Sequence, residues 1–202
     1  MSEPLAERPL YGLLLAGGKS RRMGQDKALL DRNGETLLAY AASLLQQFTD
    51  HVYVSARAEQ RDEPQRSRFD QIIDRYQDLG PVAGILSAMD EHPQADWLVV
   101  ACDLPNLDAS TFAELLQHRN VHRPFVAYRS SHDDLPEPLC ALYLEGSEAI
   151  VRRFVDDGLK CPRKMLIRSD TLLLAQPNPG ALDNVNTPEE LRGSVLETEA
   201  AG

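Results

Sequence analysis

The residues of this sequence that are best suited to chemistry lie in a short stretch after position 15. Gly17 and Gly18 lack a Cβ, so backbone N–H groups there can approach an anion closely and point at it together. Four cationic side chains follow: Lys19, Arg21, Arg22 and Lys27. The chain as a whole is acidic, with a formal net charge of −10, so this local density of positive charge predicts a binding site for an anionic ligand.

An acidic residue, Asp103, is the second candidate for chemistry. It follows the most apolar run of the chain, WLVVAC at 97–102, which is typical of a central strand buried on both faces. Open α/β sheets bind ligands at the carboxyl ends of their parallel strands. Carboxylate oxygens suit Mg²⁺, so we interpret Asp103 as a metal ligand. A role as a helix cap fits less well, because Asp108 is better placed to cap the next helix.

The elements that must position these residues follow from hydrophobic spacing. Positions 37–48 carry apolar residues on one helical face, with Thr36 as a plausible N-cap. Strands are predicted at 12–16, 51–56, 71–74, 97–102, 125–128 and 137–143, and further helices at 81–89, 109–118 and 147–155. The alternation predicts an α/β fold with a parallel sheet, in a single domain over residues 1–202. Residues 1–9 and 194–202 are predicted to be a flexible leader and a disordered tail.

Three polar segments carry weaker signals. Residues 57–69 form the most polar stretch, and we interpret them as a solvated helix or loop rather than a binding surface. The SSHDD run at 130–134 is interpreted as an exposed turn, because its spacing does not suit shared metal coordination. Cations between 160 and 168 either face solvent or meet a phosphate of a second substrate.

Composition excludes several functions and locations. An acidic chain lacks the basic face that nucleic acids or anionic membranes require, so neither is an expected partner. No apolar run approaches a membrane span, and the N-terminus is too polar for a secretory signal, so we expect a cytoplasmic protein. Its cysteines, Cys102, Cys140 and Cys161, are odd in number and far apart, which indicates free thiols.

The glycine-rich turn is neither a Walker A loop nor a dinucleotide fingerprint. The first glycine of GxxxxGK[ST] would fall on Leu13, and no GxGxxG begins at Gly17 or Gly18. The remaining pattern, LAGGxSxRMGxDK at 15–27, resembles the signature loop of nucleotidyltransferases that join a nucleoside monophosphate to a phosphorylated acceptor. Within that group it is most similar to the molybdenum cofactor guanylyltransferase family. Three further motifs match this family: GPVAG at 80–84, CDLP at 102–105 and NVNTPEEL at 184–191.

The resemblance implies a reaction, a cofactor and a set of partners. GMP would pass from GTP to the terminal phosphate of molybdopterin or Mo-molybdopterin, with release of pyrophosphate and with Mg²⁺ as cofactor. Molybdoenzymes or chaperones are further candidate partners. Together with the pattern of elements, the resemblance implies a Rossmann-like three-layer sandwich, with a mostly parallel central sheet and helices on both faces.

The resemblance also implies site residues, position by position. Nucleotide binding is expected of Leu15, Ala16, Gly17, Gly18, Lys27, Ser55, Asp74 and Asp103. Catalytic roles are expected of Arg22, Lys27 and Asp103, and acceptor binding of Gly80, Pro81, Gly84 and Asn184. The metal is expected on Asp103 and Asn186. These assignments require Lys27 and Asp103 to converge on one triphosphate.

One departure from the family pattern bears on the choice of base. The guanylyl branch typically has an Asn-Ala-Asn run after the second strand, where this chain has Ser55-Ala56-Arg57. Gly17, by contrast, matches the guanylyl branch, since the cytidylyl branch usually has alanine there. Three alternatives stay open: the use of CTP, a sugar or polyol phosphate as the acceptor, and a non-catalytic role in nucleotide binding or cofactor delivery.

Overall fold

The computed structural model describes residues 8–18 and 26–185, which form one main sheet flanked by helices. The strands are β1 Leu10–Leu15, β2 Asp31–Arg32, β3 Glu35–Thr36, β4 His51–Ala56, β5 Gln71–Ile73, β6 Asp96–Ala101, β7 Phe125–Arg129, β8 Pro136–Tyr143 and β9 Thr171–Leu174. The α-helices are α1 Leu37–Leu45, α2 Pro81–Glu91, α3 Ala109–Gln117, α4 Ser147–Asp156 and α5 Pro162–Ile167. Short 3₁₀ turns cover Lys27–Leu29, Ala58–Gln60 and Arg66–Arg68.

The main sheet has seven strands in the order β5-β4-β1-β6-β8-β7-β9. Strands β5, β4, β1 and β6 run parallel to one another, β8 is antiparallel to both of its neighbours, and β9 is again parallel to β7. The mostly parallel sheet expected from the sequence is therefore confirmed. β6 occupies the middle of the sheet and every one of its residues is buried, as its apolar sequence predicts.

Helices cover both faces of the sheet, which confirms the three-layer arrangement. In β1, Leu14 faces a core that includes α1 and α3, whereas Leu13 faces a second core that includes α2, α4 and α5. Because successive side chains of a strand point to opposite faces, a continuous apolar run is what two such cores require. No helix among residues 8–18 and 26–185 has the length and hydropathy needed to cross a bilayer.

Local signals in the sequence account for several element boundaries. The Thr36 side chain accepts a hydrogen bond from the Ala39 N–H and so caps α1, as predicted. Asn33 and Gly34 both have positive φ, of 56° and 87°, and turn the chain between β2 and β3. Pro81 is the first residue of α2, where its missing N–H costs nothing.

Asp108 caps α3 and carries a testable share of the stability. Its carboxylate accepts hydrogen bonds from the Thr111 N–H at 2.9 Å and from Asn178 at 3.0 Å. Partial burial acts to raise the pKa of Asp108, but hydrogen bonds from Ser110, Asn178 and Thr111 lower this pKa to about 2. We expect Asp108→Ala to reduce the free energy of unfolding by about 1–2 kcal/mol at neutral pH.

The stability that Asp108 contributes depends on pH. Since the folded-state pKa lies below the ordinary value, the contribution of Asp108 is present above about pH 4 and is lost as the pH falls towards about 2. Urea titrations of wild type and Asp108→Ala should therefore differ at neutral pH and converge in acid. The exposed Asp62 provides the control, and an Asp62→Ala loss of equal size would contradict the capping role.

Arg8 and Pro9, at the end of the leader predicted over residues 1–9, make hydrogen bonds to the rest of the chain. Arg8 donates to the Asp96 carboxylate at 3.1 Å, and the Asp96 N–H donates to the Pro9 carbonyl at 2.9 Å. Asp96 is only 7% exposed, so its charge needs cationic partners, and Arg119 supplies a second at 3.2 Å. Residues 1–7 and 186–202, including the predicted tail, lie outside the described residues. All three cysteines are free, as predicted.

Candidate active site

A cleft of about 980 Å³ opens at the carboxyl edge of the parallel strands. It is lined by the glycine-rich turn after β1, by the residues that follow β4 and β5, by the start of α2 and by Asp103 after β6. All eight residues expected to bind nucleotide line it: Leu15, Ala16, Gly17, Gly18, Lys27, Ser55, Asp74 and Asp103. The parallel register of β1, β4, β5 and β6 brings these distant segments to one edge.

Lys27 and Asp103 meet directly in this cleft. The Lys27 Nζ donates to the Asp103 Oδ2 at 3.2 Å, across 76 positions of sequence. Both side chains are mostly buried, with 16% and 21% of their surface exposed. The sequence predicted that these two residues converge, and the structure confirms it. An ammonium group and a carboxylate in contact can bind a phosphate group and a metal ion at neighbouring positions.

Ser55 and Asp74 form a second polar pair, at the end of the cleft formed by β4 and β5. The Ser55 Oγ donates to the Asp74 Oδ1 at 2.8 Å. Burial raises the pKa of Asp74 above its ordinary value, and this outweighs the opposing effects of the Ser55 hydrogen bond and of Arg57. The Cβ that an alanine would add at position 17 would lie 3.3 Å from the Asp74 Oδ2, so the glycine turn packs closely on this carboxylate.

The GPVAG motif follows β5, and the structure requires glycine at both ends of this motif. Gly80 has φ of 58° and ψ of −136°, a conformation that only glycine adopts without strain, and it leads directly into α2. Gly84 lies against β4, where an added Cβ would stand 2.2 Å from the Ser55 Oγ. Both glycines and Pro81 line the same cleft as the nucleotide residues. The motif expected to bind the acceptor therefore lines the same cleft as the residues expected to bind nucleotide.

A second cleft, of about 820 Å³, lies on the other side of Asp103. Its walls include β8, the start of α5 and residues 182–185. Asn184, the remaining residue expected to bind the acceptor, lines this cleft and not the first. Asp103, Ala101 and Leu139 line both clefts, and the Asp103 carbonyl accepts from the Val185 N–H at 3.1 Å. Asp103 thus stands at the junction between two binding spaces.

The exposed turn predicted at 130–134 forms part of the rim of the second cleft. His132 lies 2.9 Å from the Asp183 carboxylate, and both side chains are exposed. Arg163, from α5, lines this cleft and pairs with Asp133 at 2.8 Å and Glu137 at 3.0 Å. Residues 131–133 form a turn, as predicted. Among the described residues, no group of three or more His, Cys, Asp or Glu side chains is arranged to hold a metal ion.

The interpretation of residues 57–69 as a solvated segment is wrong for two of its arginines. Arg66 is completely buried, and its Nη2 donates to the Ala16 carbonyl at 2.7 Å. The Arg57 Nε donates to the Gly17 carbonyl at 2.7 Å. The Glu63-x-x-Arg66 spacing was the only local signal, because an i, i+3 pair of opposite charges favours one helical turn. Nothing local could indicate contacts with residues 40 and 50 positions away.

The oxygen ligands in the cleft fit a hard divalent cation. Asp103 provides one carboxylate, and Mg²⁺ is usually held by one or two carboxylates together with substrate phosphates. A closed site built from several protein ligands is absent from the described part of the chain. The other expected ligand, Asn186, and the expected catalytic residue Arg22 lie outside the described residues.

Comparisons with known proteins show the family to which this chain belongs. Residues 12–170 match the family model described as MobA-like NTP transferase domain. A molybdenum cofactor guanylyltransferase from Pseudomonas fluorescens is 32% identical over 95% of this chain and 94% of its own length. A bifunctional molybdenum cofactor biosynthesis protein from Synechocystis is 33% identical over 92% of this chain, which spans about half (54%) of that longer protein.

A solved structure supports the fold independently. The molybdopterin-guanine dinucleotide biosynthesis protein A from Archaeoglobus fulgidus superposes with a TM-score of 0.77, covering 95% of this chain and all of the other, at 22% identity. The family match covers well over half of the chain, from β1 to the residue before β9. The chain therefore belongs to the MobA-like NTP transferase family and is a nucleotidyltransferase.

Proposed function

We propose that this protein transfers GMP from GTP to the terminal phosphate of molybdopterin or Mo-molybdopterin and releases pyrophosphate. The observation that carries the proposal is the Lys27–Asp103 contact at the junction of two clefts. One cleft is lined by the residues that match nucleotide-binding positions, and the other has room for a second substrate. Relatives at about 32% identity that bear the name molybdenum cofactor guanylyltransferase support the same reaction.

The reaction joins two anions, so the protein must mainly position them and neutralise their charge. An oxygen of the acceptor phosphate attacks the α-phosphorus of GTP, the bond to the β-phosphate oxygen breaks, and pyrophosphate leaves with that electron pair. Lys27 reaches the phosphates from the turn after β1, and Arg22 is a further proposed cation. No general base is required, because a phosphate monoester loses its second proton near pH 6.

Asp103 is the proposed holder of Mg²⁺, with Asn186 as the proposed second ligand. A bound Mg²⁺ would supply positive charge to the phosphates at the point of transfer. Asp103 is paired with Lys27, and this ion pair fixes the two side chains relative to each other in the cleft. With substrate bound, Lys27 would contact phosphate oxygens of the triphosphate and Asp103 would hold the cation.

The proposed preference for GTP rests on the chemistry of the Ser55–Asp74 end of the cleft. An ionised carboxylate only accepts hydrogen bonds, and guanine presents adjacent N–H donors that match it. The Ser55 hydroxyl already orients one Asp74 oxygen, which leaves the other for the ligand. The base would then lie against the backbone of Leu15, Ala16 and Gly17, with its phosphates directed towards Lys27.

The second cleft is the proposed acceptor site. Arg163 lines it and is paired with Asp133 and Glu137, and the position of Asp103 in its wall places anything bound there next to the transferred group. Asn184 lines the same cleft. The other residues proposed to bind the acceptor, Gly80, Pro81 and Gly84, line the first cleft. GTP is a cytoplasmic metabolite, so the proposed reaction also implies a cytoplasmic enzyme. Molybdoenzymes or chaperones are the proposed recipients of the product.

A titration with four nucleotides tests the base and the metal. Without acceptor, we expect GTP to bind at least about tenfold more tightly than ATP, CTP or UTP in the presence of Mg²⁺. With molybdopterin added, pyrophosphate should be released from GTP and not in the presence of excess chelator. Equal or faster release from CTP would assign the cytidylyl reaction. Release only with a sugar or polyol phosphate would change the acceptor, and binding without release from any pair would indicate a non-catalytic role.

A further inference from the structure

Two successive carbonyl groups of the glycine turn are each held by an arginine. The Ala16 carbonyl accepts from Arg66 at 2.7 Å, and the Gly17 carbonyl accepts from Arg57 at 2.7 Å. Both distances are at the short end of the range for N–H···O bonds, as expected when the donor is charged. The Ala16 N–H donates to the Ser55 carbonyl at 3.1 Å, so both sides of this residue are fixed. Two arginine side chains thus help to hold the described part of the turn.

The planarity of the peptide bond turns these contacts into a constraint on the N–H groups. In a trans peptide the C=O of one residue and the N–H of the next point in opposite directions. Fixing the Ala16 carbonyl on Arg66 therefore directs the Gly17 N–H away from Arg66. Fixing the Gly17 carbonyl on Arg57 directs the Gly18 N–H away from Arg57 in the same manner. Both glycines line the cleft, and their N–H groups are donors that a bound nucleotide can meet.

Arg66 also reaches the other side of the glycine loop. Its Nη2 lies 2.8 Å from the Asp26 carboxylate, and its Nη1 lies 3.2 Å from Glu63. Asp26 in turn accepts from the Ala28 N–H at 3.1 Å and caps the short turn that carries Lys27. One guanidinium thereby joins the residue before Gly17 to the residue before Lys27. The nucleotide turn and the catalytic lysine share a single anchor.

The burial of Arg66 indicates that this anchor is specifically maintained. A guanidinium with no exposed surface is costly unless it is paired and hydrogen-bonded. The two Nη atoms of Arg66 are paired with two carboxylates and a carbonyl, drawn from three separate parts of the chain, while its Nε has no hydrogen-bond partner among the described residues. A residue that served only solubility would lie at the surface, as the neighbouring Arg68 does.

We propose that Arg57 and Arg66 are positioning residues for nucleotide binding: they hold the peptide groups of Ala16 and Gly17 so that the Gly17 and Gly18 N–H groups face the ligand. Arg66 additionally sets the position of Lys27 through Asp26. Neither arginine is required to touch the reacting atoms. The inference rests on the proposed function only in naming GTP as the ligand, and the hydrogen-bond geometry stands without it.

Lysine substitutions test the proposal, since lysine keeps the charge but loses the forked geometry. Arg66→Lys and Arg57→Lys are compared with Arg68→Lys, which changes an exposed arginine of the same segment. We expect Kd for Mg·GTP to rise about 10- to 100-fold in the first two variants, the effect of losing a charge-assisted hydrogen bond, and to stay at the wild-type value in the third. KM for GTP should rise with Kd in Arg57→Lys while kcat changes little, whereas Arg66→Lys should also lower kcat.

A second measurement separates positioning from general damage to the fold. In the ligand-free protein, we expect the amide ¹H and ¹⁵N resonances of Gly17 and Gly18 to shift in Arg66→Lys and Arg57→Lys and not in Arg68→Lys. If Arg66→Lys does not fold, Arg57→Lys decides, because Arg57 is partly exposed and lies outside the core. Folded variants with wild-type GTP affinity, or with unchanged glycine amide resonances, would overturn the proposal. If the wild-type protein fails to bind GTP, the proposed function fails, while the amide shifts still test the positioning role.

Discussion

Asp103→Asn should lower kcat for pyrophosphate release by about a thousandfold or more while leaving the fold intact. Asparagine keeps the shape of the side chain but loses the negative charge that a hard cation requires. It also removes the ion pair that Asp103 forms with the Lys27 ammonium at 3.2 Å. Steady-state assays with GTP, Mg²⁺ and molybdopterin measure the loss, and circular dichroism checks the fold.

Kinetic titrations with Mg²⁺ and GTP show whether Asp103 acts in metal binding or in nucleotide binding. The Mg²⁺ concentration that gives half of the maximal rate should be higher in Asp103→Asn than in wild type. KM for GTP should change by less than about tenfold, because the contacts to the base are untouched. Asp62→Asn, which alters an exposed aspartate, is the matched control and should behave as wild type. Near-normal turnover by Asp103→Asn would remove Asp103 from the reaction and with it the main support for catalysis at this cleft.

Gly84→Ala should produce the largest loss of stability among the single-methyl changes near the site. The added Cβ would lie 2.2 Å from the Ser55 Oγ and 3.0 Å from a Leu15 methyl group, both on strands that form the wall of the cleft. Such overlap must push α2 away from β4, and overpacking of this kind costs about 1–3 kcal/mol. The displacement also disturbs the Ser55–Asp74 hydrogen bond, so GTP affinity should fall together with the free energy of unfolding.

Two further variants make the Gly84 prediction specific. Gly18→Ala adds the same methyl group where, among the described residues beyond its chain neighbours, no atom lies within 4 Å, and it should leave the free energy of unfolding within about 0.5 kcal/mol of wild type. Ser55→Ala removes the closest atom of the clash and should restore part of the stability of Gly84→Ala. Chemical denaturation measures all four proteins. Equal stability of Gly84→Ala and wild type would show that α2 has more room than the structure indicates.

Sequence patterns sufficed wherever function depends on residues close together in the chain. The glycine turn, the apolar β6 and the carboxylate after it are local signals, and parallel strands bring their ends to one edge by rule. The contact between Lys27 and Asp103 could therefore be expected before the structure was known. The caps at Thr36 and Asp108 follow from the same kind of short-range chemistry.

Sequence patterns did not predict the role of side chains whose contacts lie far away in the sequence. Arg57 and Arg66 sit in the most polar segment of the chain, and polarity normally indicates exposure. Only the fold shows that Arg66 is buried beneath the turn after β1. The division of the site into two clefts is similarly invisible, because the second cleft is formed by packing among β8, the start of α5 and residues 182–185, which are far apart in the sequence.

The shared wall formed by Asp103 has a consequence for what happens after transfer. In the proposed reaction the product is a single molecule whose two halves occupy both clefts, so each half holds the other at a high effective concentration. Such a product leaves more slowly than either substrate would. Slow departure favours direct handover to a receiving protein over release into solution, and it makes stable analogues that span both clefts the natural inhibitors of this enzyme.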